Sequence, residues 1–197
     1  MGQVIKLADD ETTNAVNALL GRVYETKRQS VALLDDWTRH ERDAEMYAGL
    51  APQLTDERKH LRILGDEMKR RGLKTSSPIV QQLLSRPFAM VKAQSDTVFR
   101  LCALHRGIKA FTLARCEQLS TYVDPALMRI LEQVSREDAR HVRWADIRIE
   151  RSMGPSDGRQ AQLMLDRIDE MLEGVWLKPW RQLVQARQNH RPLPRVS

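Results

Sequence analysis

Disulfide chemistry is the first thing this chain has no room for. It holds two cysteines, Cys102 and Cys116, several turns apart within what reads as one helix, where they cannot bridge. That excludes the small stapled scaffolds of secreted domains and fits a reducing compartment, so a cytoplasmic location is expected. Glycine (nine) and proline (eight) are scarce and gather in a few places, which argues against the turn-rich pattern of sandwiches and barrels. Aromatics make up only 5%, leaving the core to Leu, Val, Ala and Met. No run approaches the ~20 apolar residues that span a bilayer. The opening stretch, Met1 to Asp10, has no leader pattern. A glycine-rich phosphate loop, a nucleophile elbow and zinc-finger spacing are also missing, which disfavours nucleotide chemistry and acyl transfer.

What is present is charge and helix-forming residues. Lysine and arginine number 32 against 26 acids, a formal net charge of +6. The arginines are mostly interleaved with acids, so the excess points only generally to an acidic partner such as RNA. The stretch Arg187 to Arg195 is basic without acids and contains Pro192 and Pro194, and residues 188–197 are expected to be a flexible basic tail. The remaining 187 residues suit one helical domain with a continuous core.

Apolar periodicity divides that domain into five helices. The first is expected from about Asp10 to Thr38, on Val16, Leu20, Val23, Val31, Leu34 and Trp37, with Lys27 interrupting the stripe. The second carries Tyr47, Leu50, Leu54, Glu57, Leu61, Leu64 and Met68 to Gly72, with either a kink at Pro52 or a start just after it. Leu73 to Pro87 reads as a long crossover. A third helix is expected from about Phe88 to Leu119. The fourth opens at Asp124-Pro125, an N-cap carboxylate followed by proline at the first helical position, and ends at Gly154-Pro155. The fifth runs from about Gln160 to Arg187.

Two motifs carry the candidate chemistry: Asp56-Glu57-Arg58-Lys59-His60 and Glu137-Asp138-Ala139-Arg140-His141. In each, an acid precedes a histidine by three residues, so carboxylate and imidazole share one helix face and can converge on an ion. Their position on the stripe gives the spacing its meaning. Leu127, Leu131 and Val134 continue in phase through Asp138 and His141, and Glu57 replaces an apolar residue between Leu54 and Leu61. His105 falls on the apolar stripe of the third helix. Buried ionisable groups cost several kcal/mol unless paired or metal-bound, so something must compensate them.

The paired motifs, one per hairpin, resemble the ferritin-like dimetal-carboxylate superfamily over roughly Asp10 to Met153. The resemblance implies an all-α, ferritin-like four-helix bundle: two antiparallel hairpins joined by a long crossover, here with a fifth helix appended. It also implies metal ligands at Glu57, His60, Asp138 and His141. Counting back about 33 residues from Asp138, as that family's pattern suggests, reaches His105. Counting back from Glu57 reaches Tyr24 with Glu25 beside it. The expected metal set is therefore Glu57, His60, His105, Asp138, His141 and Glu25. The implied cofactor is iron, in one or two ions, or manganese, and the implied activity is that of an oxidase, oxygenase or hydroxylase.

Three alternatives stay open. The first hairpin could instead turn at Pro52, pairing Glu41 with Glu67 and putting Arg70 where a histidine belongs. The bundle could be a non-catalytic scaffold that has lost its metal, with Lys27, His105, Asp138 and His141 in a buried polar network. Or it could be a basic bundle that binds nucleic acid. An unknown small molecule or RNA is the expected substrate. Trp176 and Trp180 on the fifth helix suit packing on the bundle or across a homodimer, with peripheral membrane contact as the other option.

Overall fold

Capping chemistry sets the helix boundaries along the chain. The structure, a computed structural model, describes residues 2–75 and 77–188, with side chains from Asp10 onward. Beyond Gln188, the basic tail expected from sequence lies outside the described residues. Within them the chain is helices joined by short turns, with no strand. Helix α1 (Gly2–His40) turns at Glu41–Asp43 into α2 (Ala44–Arg70), where the Asp43 carboxylate caps the Met46 amide at 2.7 Å. The alternative turn at Pro52 is thereby ruled out. Pro52 sits inside α2, which begins well before it rather than just after. Its ring is exposed, on the solvent side of the helix, where preceding carbonyls can turn to water.

The crossover is not an irregular link. Ser77 caps α3 (Pro78–Lys92), with Pro78 at the first helical position. The helix expected to start at Phe88 therefore starts later, where Asp96 caps α4 (Thr97–Leu101) by accepting from the Val98 and Phe99 amides. That helix continues without a break through a π-helical stretch, Cys102–Lys109, into α5 (Ala110–Ser120). Helix α6 (Pro125–Ser152) opens as its Asp124-Pro125 signal predicts, with the Asp124 side chain accepting from Ala126 and Leu127. Helix α7 (Asp157–Gln188) closes the described chain.

Packing is antiparallel between α1 and α2, where Asp35 meets Arg58 and Tyr24 lies against Gly65. The same holds between α2 and α6, where Asp56 meets His141 and His60 meets Glu137. It holds again between the π-helical stretch and α6, where Arg106 meets Asp146. Leu20, Leu34, Leu50, Leu64, Leu104, Ile108, Leu131 and Ile149 fill the interior. Helix α7 lies across α1, α3 and the π-helical stretch. Trp176 is fully buried there, and Trp180 meets the Tyr122 ring edge-on with centroids 5.9 Å apart. Its tryptophans thus face the bundle rather than solvent.

Candidate functional site

Midway along the bundle the apolar interior gives way to a layer of charge. Lys27 from α1, Glu57 from α2, Lys109 from the end of the π-helical stretch and Asp138 from α6 are all at most 1% exposed. Lys27 Nζ donates to Asp138 Oδ2 and lies 3.2 Å from Glu57 Oε2. Lys109 Nζ donates to Glu57 Oε1 and lies 3.4 Å from Asp138 Oδ1. Two ammoniums and two carboxylates thus alternate in a closed, charge-balanced quartet. Burial pushes the Glu57 carboxyl up, but Lys109 and then Lys27 more than reverse that and hold it well below the usual carboxylate range. Asp138 is driven the same way, burial opposed first by Lys27 and then by Lys109. Burial lowers Lys27, yet the charges of Asp138 and Glu57 raise it above an ordinary lysine.

Both histidines of the paired motifs extend this layer, and they do so reciprocally. His141 Nδ1 accepts from Lys109 Nζ at 3.1 Å, and its Nε2 lies 3.0 Å from Asp56 Oδ2. Acceptance at Nδ1 leaves Nε2 to carry the proton and donate to Asp56. His60 Nε2 lies 2.7 Å from Glu137 Oε2. Each motif therefore begins with an acidic pair whose members have different tasks. The first acid, Asp56 or Glu137, receives the histidine of the other motif, and the second, Glu57 or Asp138, receives the lysines. His60 Nδ1 is buried without a hydrogen-bond partner, 3.7 Å from Glu57 Oε2.

Of the residues singled out from sequence, Glu57, His60, Asp138 and His141 come together in this layer. His105 lies beside it, with Nε2 2.8 Å from Gln53 Oε1 and Nδ1 3.2 Å from the Leu101 carbonyl. Burial, reinforced by the Lys109 charge, keeps its pKa well below the ordinary histidine value. Glu25 is buried elsewhere, gripped by Arg28 at 2.7 and 2.8 Å and by Gln29, and does not join the layer. In the discarded register, Glu67 is held by Arg70 and Arg71 and Glu41 by Trp37. Sequence reasoning missed Lys109, Asp56 and Glu137. The doubled acid in both motifs was the available signal for the last two. Cys116, its thiol pushed up to about 12 by burial, is an inert neighbour.

Glu57, Asp138 and His141 each offer a ligand atom within 4.8 Å of the others. The point where they converge is filled, because all three of those side chains contact Lys109 Nζ. No family model, curated protein or solved structure matches the chain.

Proposed function

We propose that this chain is a ferritin-like four-helix scaffold in which two lysine ammoniums do the electrostatic work of divalent cations. One observation carries this reading: Lys27 and Lys109 lie between Glu57 and Asp138, in contact with both. A dimetal centre of the ferritin-like kind needs carboxylates from the two helices that here supply lysines. The residues present do not fit such a centre, because a divalent ion beside two ammoniums would be repelled and would find too few anionic ligands. The quartet satisfies in another way the same demand, that buried carboxylates be compensated. Its product is a fixed helix register, with polar contacts that tie α1, α2, the π-helical stretch and α6 at a single level.

The expected oxidase activity survives as a second reading, supported by the convergence of Glu57, Asp138 and His141. It requires Lys109 to withdraw and its ammonium to be replaced by iron or manganese. Metal analysis separates the two. Protein purified without added metal and then incubated anaerobically with ferrous iron is expected to retain only trace metal after desalting. The Lys27→Glu, Lys109→Glu double variant is expected to take up divalent ions and gain thermal stability on doing so. Stoichiometric iron in the unaltered chain would overturn the scaffold reading. A folded double variant that ignores metal would remove the ferritin-like part of it.

A further inference from the structure

The outer face of α6 carries a row of arginines. Arg129, Arg136, Arg140, Arg143 and Arg151 are all exposed, and at 100° per residue they fall within an arc of about 80° along about 33 Å of helix. Between them the arc holds only Gln133 and Ile147; the exposed acids Glu132 and Glu150 sit at its margin. Four of the five arginines make no ion pair among the described residues, and Arg140 reaches only to 3.8 Å of Asp56. On α7, by contrast, charge alternates, with Asp166, Arg167, Asp169 and Glu170 exposed together. Five guanidiniums on one line repel one another, and with four of them unpaired they leave a strong positive field on that side of a protein already at +6.

Alongside the stripe, α2 and α6 leave a groove of about 530 Å³ with Trp144 in its wall and Gln53, Asp56 and His141 among its lining. The Trp144 indole lies so close over Gly49 that a methyl group there would overlap it. Arg148 covers its ring at 5.2 Å. Its Nε1–H makes no hydrogen bond among the described residues. The Arg148 guanidinium stacked on a pinned indole with a free donor, beside a row of mostly unpaired arginines, matches the two needs of an unpaired nucleotide chain: a planar group for a base to stack on and cations for successive phosphates. A duplex keeps its bases stacked and paired inside, so none would be free to enter the groove. An anionic membrane would call for apolar residues on the arc, and Ile147 is the only one.

We propose that the α6 arginine stripe and the Trp144 groove form a binding surface for single-stranded nucleic acid. The phosphate backbone runs along Arg129, Arg136, Arg140 and Arg143, and one base enters the groove. This does not depend on how the buried quartet is compensated. The test is fluorescence anisotropy with a labelled single-stranded RNA of about 15 nucleotides, using the full chain. Binding is expected at about 50 mM salt and should weaken at least about tenfold by 200 mM. The Arg136→Glu, Arg140→Glu, Arg143→Glu variant should lose binding. Arg159→Glu, Arg167→Glu, Arg181→Glu, the same charge change on α7, should bind as the unaltered chain does. Trp144→Leu should weaken binding about fivefold or more without changing its salt dependence. Circular dichroism checks that each variant is folded. Four results would overturn the proposal: no binding at low salt, equal losses from the α6 and α7 reversals, an unaffected Trp144→Leu, or equal affinity for a duplex of that length or for phosphatidylglycerol vesicles.

Discussion

Lys27 and Lys109 each bring a positive charge to a place where water cannot reach it. Such a group is tolerated only while its partner remains, because an isolated buried charge has neither solvent nor counter-ion. Replacing Lys27 with Met should therefore destabilise the protein by about 3–5 kcal/mol, since it leaves Asp138 and Glu57 to share Lys109. Replacing Asp138 with Asn should cost a similar amount. The double replacement should cost much less than the sum, because it removes one charge of each sign, and a double-mutant cycle in urea reads this coupling directly. Purely additive losses would mean that the two groups do not act as a pair. Glu57, Asp138 and His141 were legible in the sequence because polar residues in phase with an apolar stripe demand a partner. Lys109 was not, because a lone lysine between Ile108 and Ala110 looks like an ordinary interruption. The family spacing from Asp138 also pointed four residues too early, to His105.

At the level of helices, most boundaries were written in capping chemistry. Asp124-Pro125 was read correctly, whereas the same kind of signal at Ser77-Pro78 was passed over, so the crossover helix went unseen and α4 was begun too early. The π-helical stretch has no comparable signature. Its hydrogen bonds reach one residue further than in an α-helix, so side chains drift out of the 3.6-residue phase from which a sequence is read. The stretch is enclosed nearly all round, with Cys102 to His105 and Gly107 to Lys109 all buried, so no single stripe marks its inner face. Contact between α2 and α6 rests on Gly49 lying under Trp144. Gly49→Ala should destabilise the fold by about 1–3 kcal/mol through overpacking, although alanine is the better helix former. It should also change the indole emission as the ring is displaced. A neutral or stabilising effect in denaturant titrations would show that the ring is free to move aside.

For the molecule as a whole, the buried charges set a pH window. His105 has a folded pKa below its unfolded value, so its contribution is complete above about pH 6.5 and is lost as pH falls and the unfolded chain takes up a proton. Glu57 and Asp138 are depressed in the same sense, and their contribution is complete above about pH 4 and lost below it. Lys27 is raised, so its contribution is complete below about pH 10 and is lost as pH climbs beyond. The unfolding free energy should be level between about pH 7 and 8, decline on the alkaline side first as the unfolded chain gives up the Cys116 proton that burial retains in the fold, and decline in two stages on the acid side. His105→Gln should abolish the first stage and leave the second. A single acid stage in the unaltered protein would contradict this assignment.

The exchange of partners between the motifs, His60 to Glu137 and His141 to Asp56, reaches beyond local stability. Neither hairpin owns a finished set of contacts: cut the gene in the crossover, and each fragment would carry acids, a histidine and a lysine whose counterparts were made on the other piece. The two halves should therefore fold stably only together, a lock whose two parts each hold the other's key.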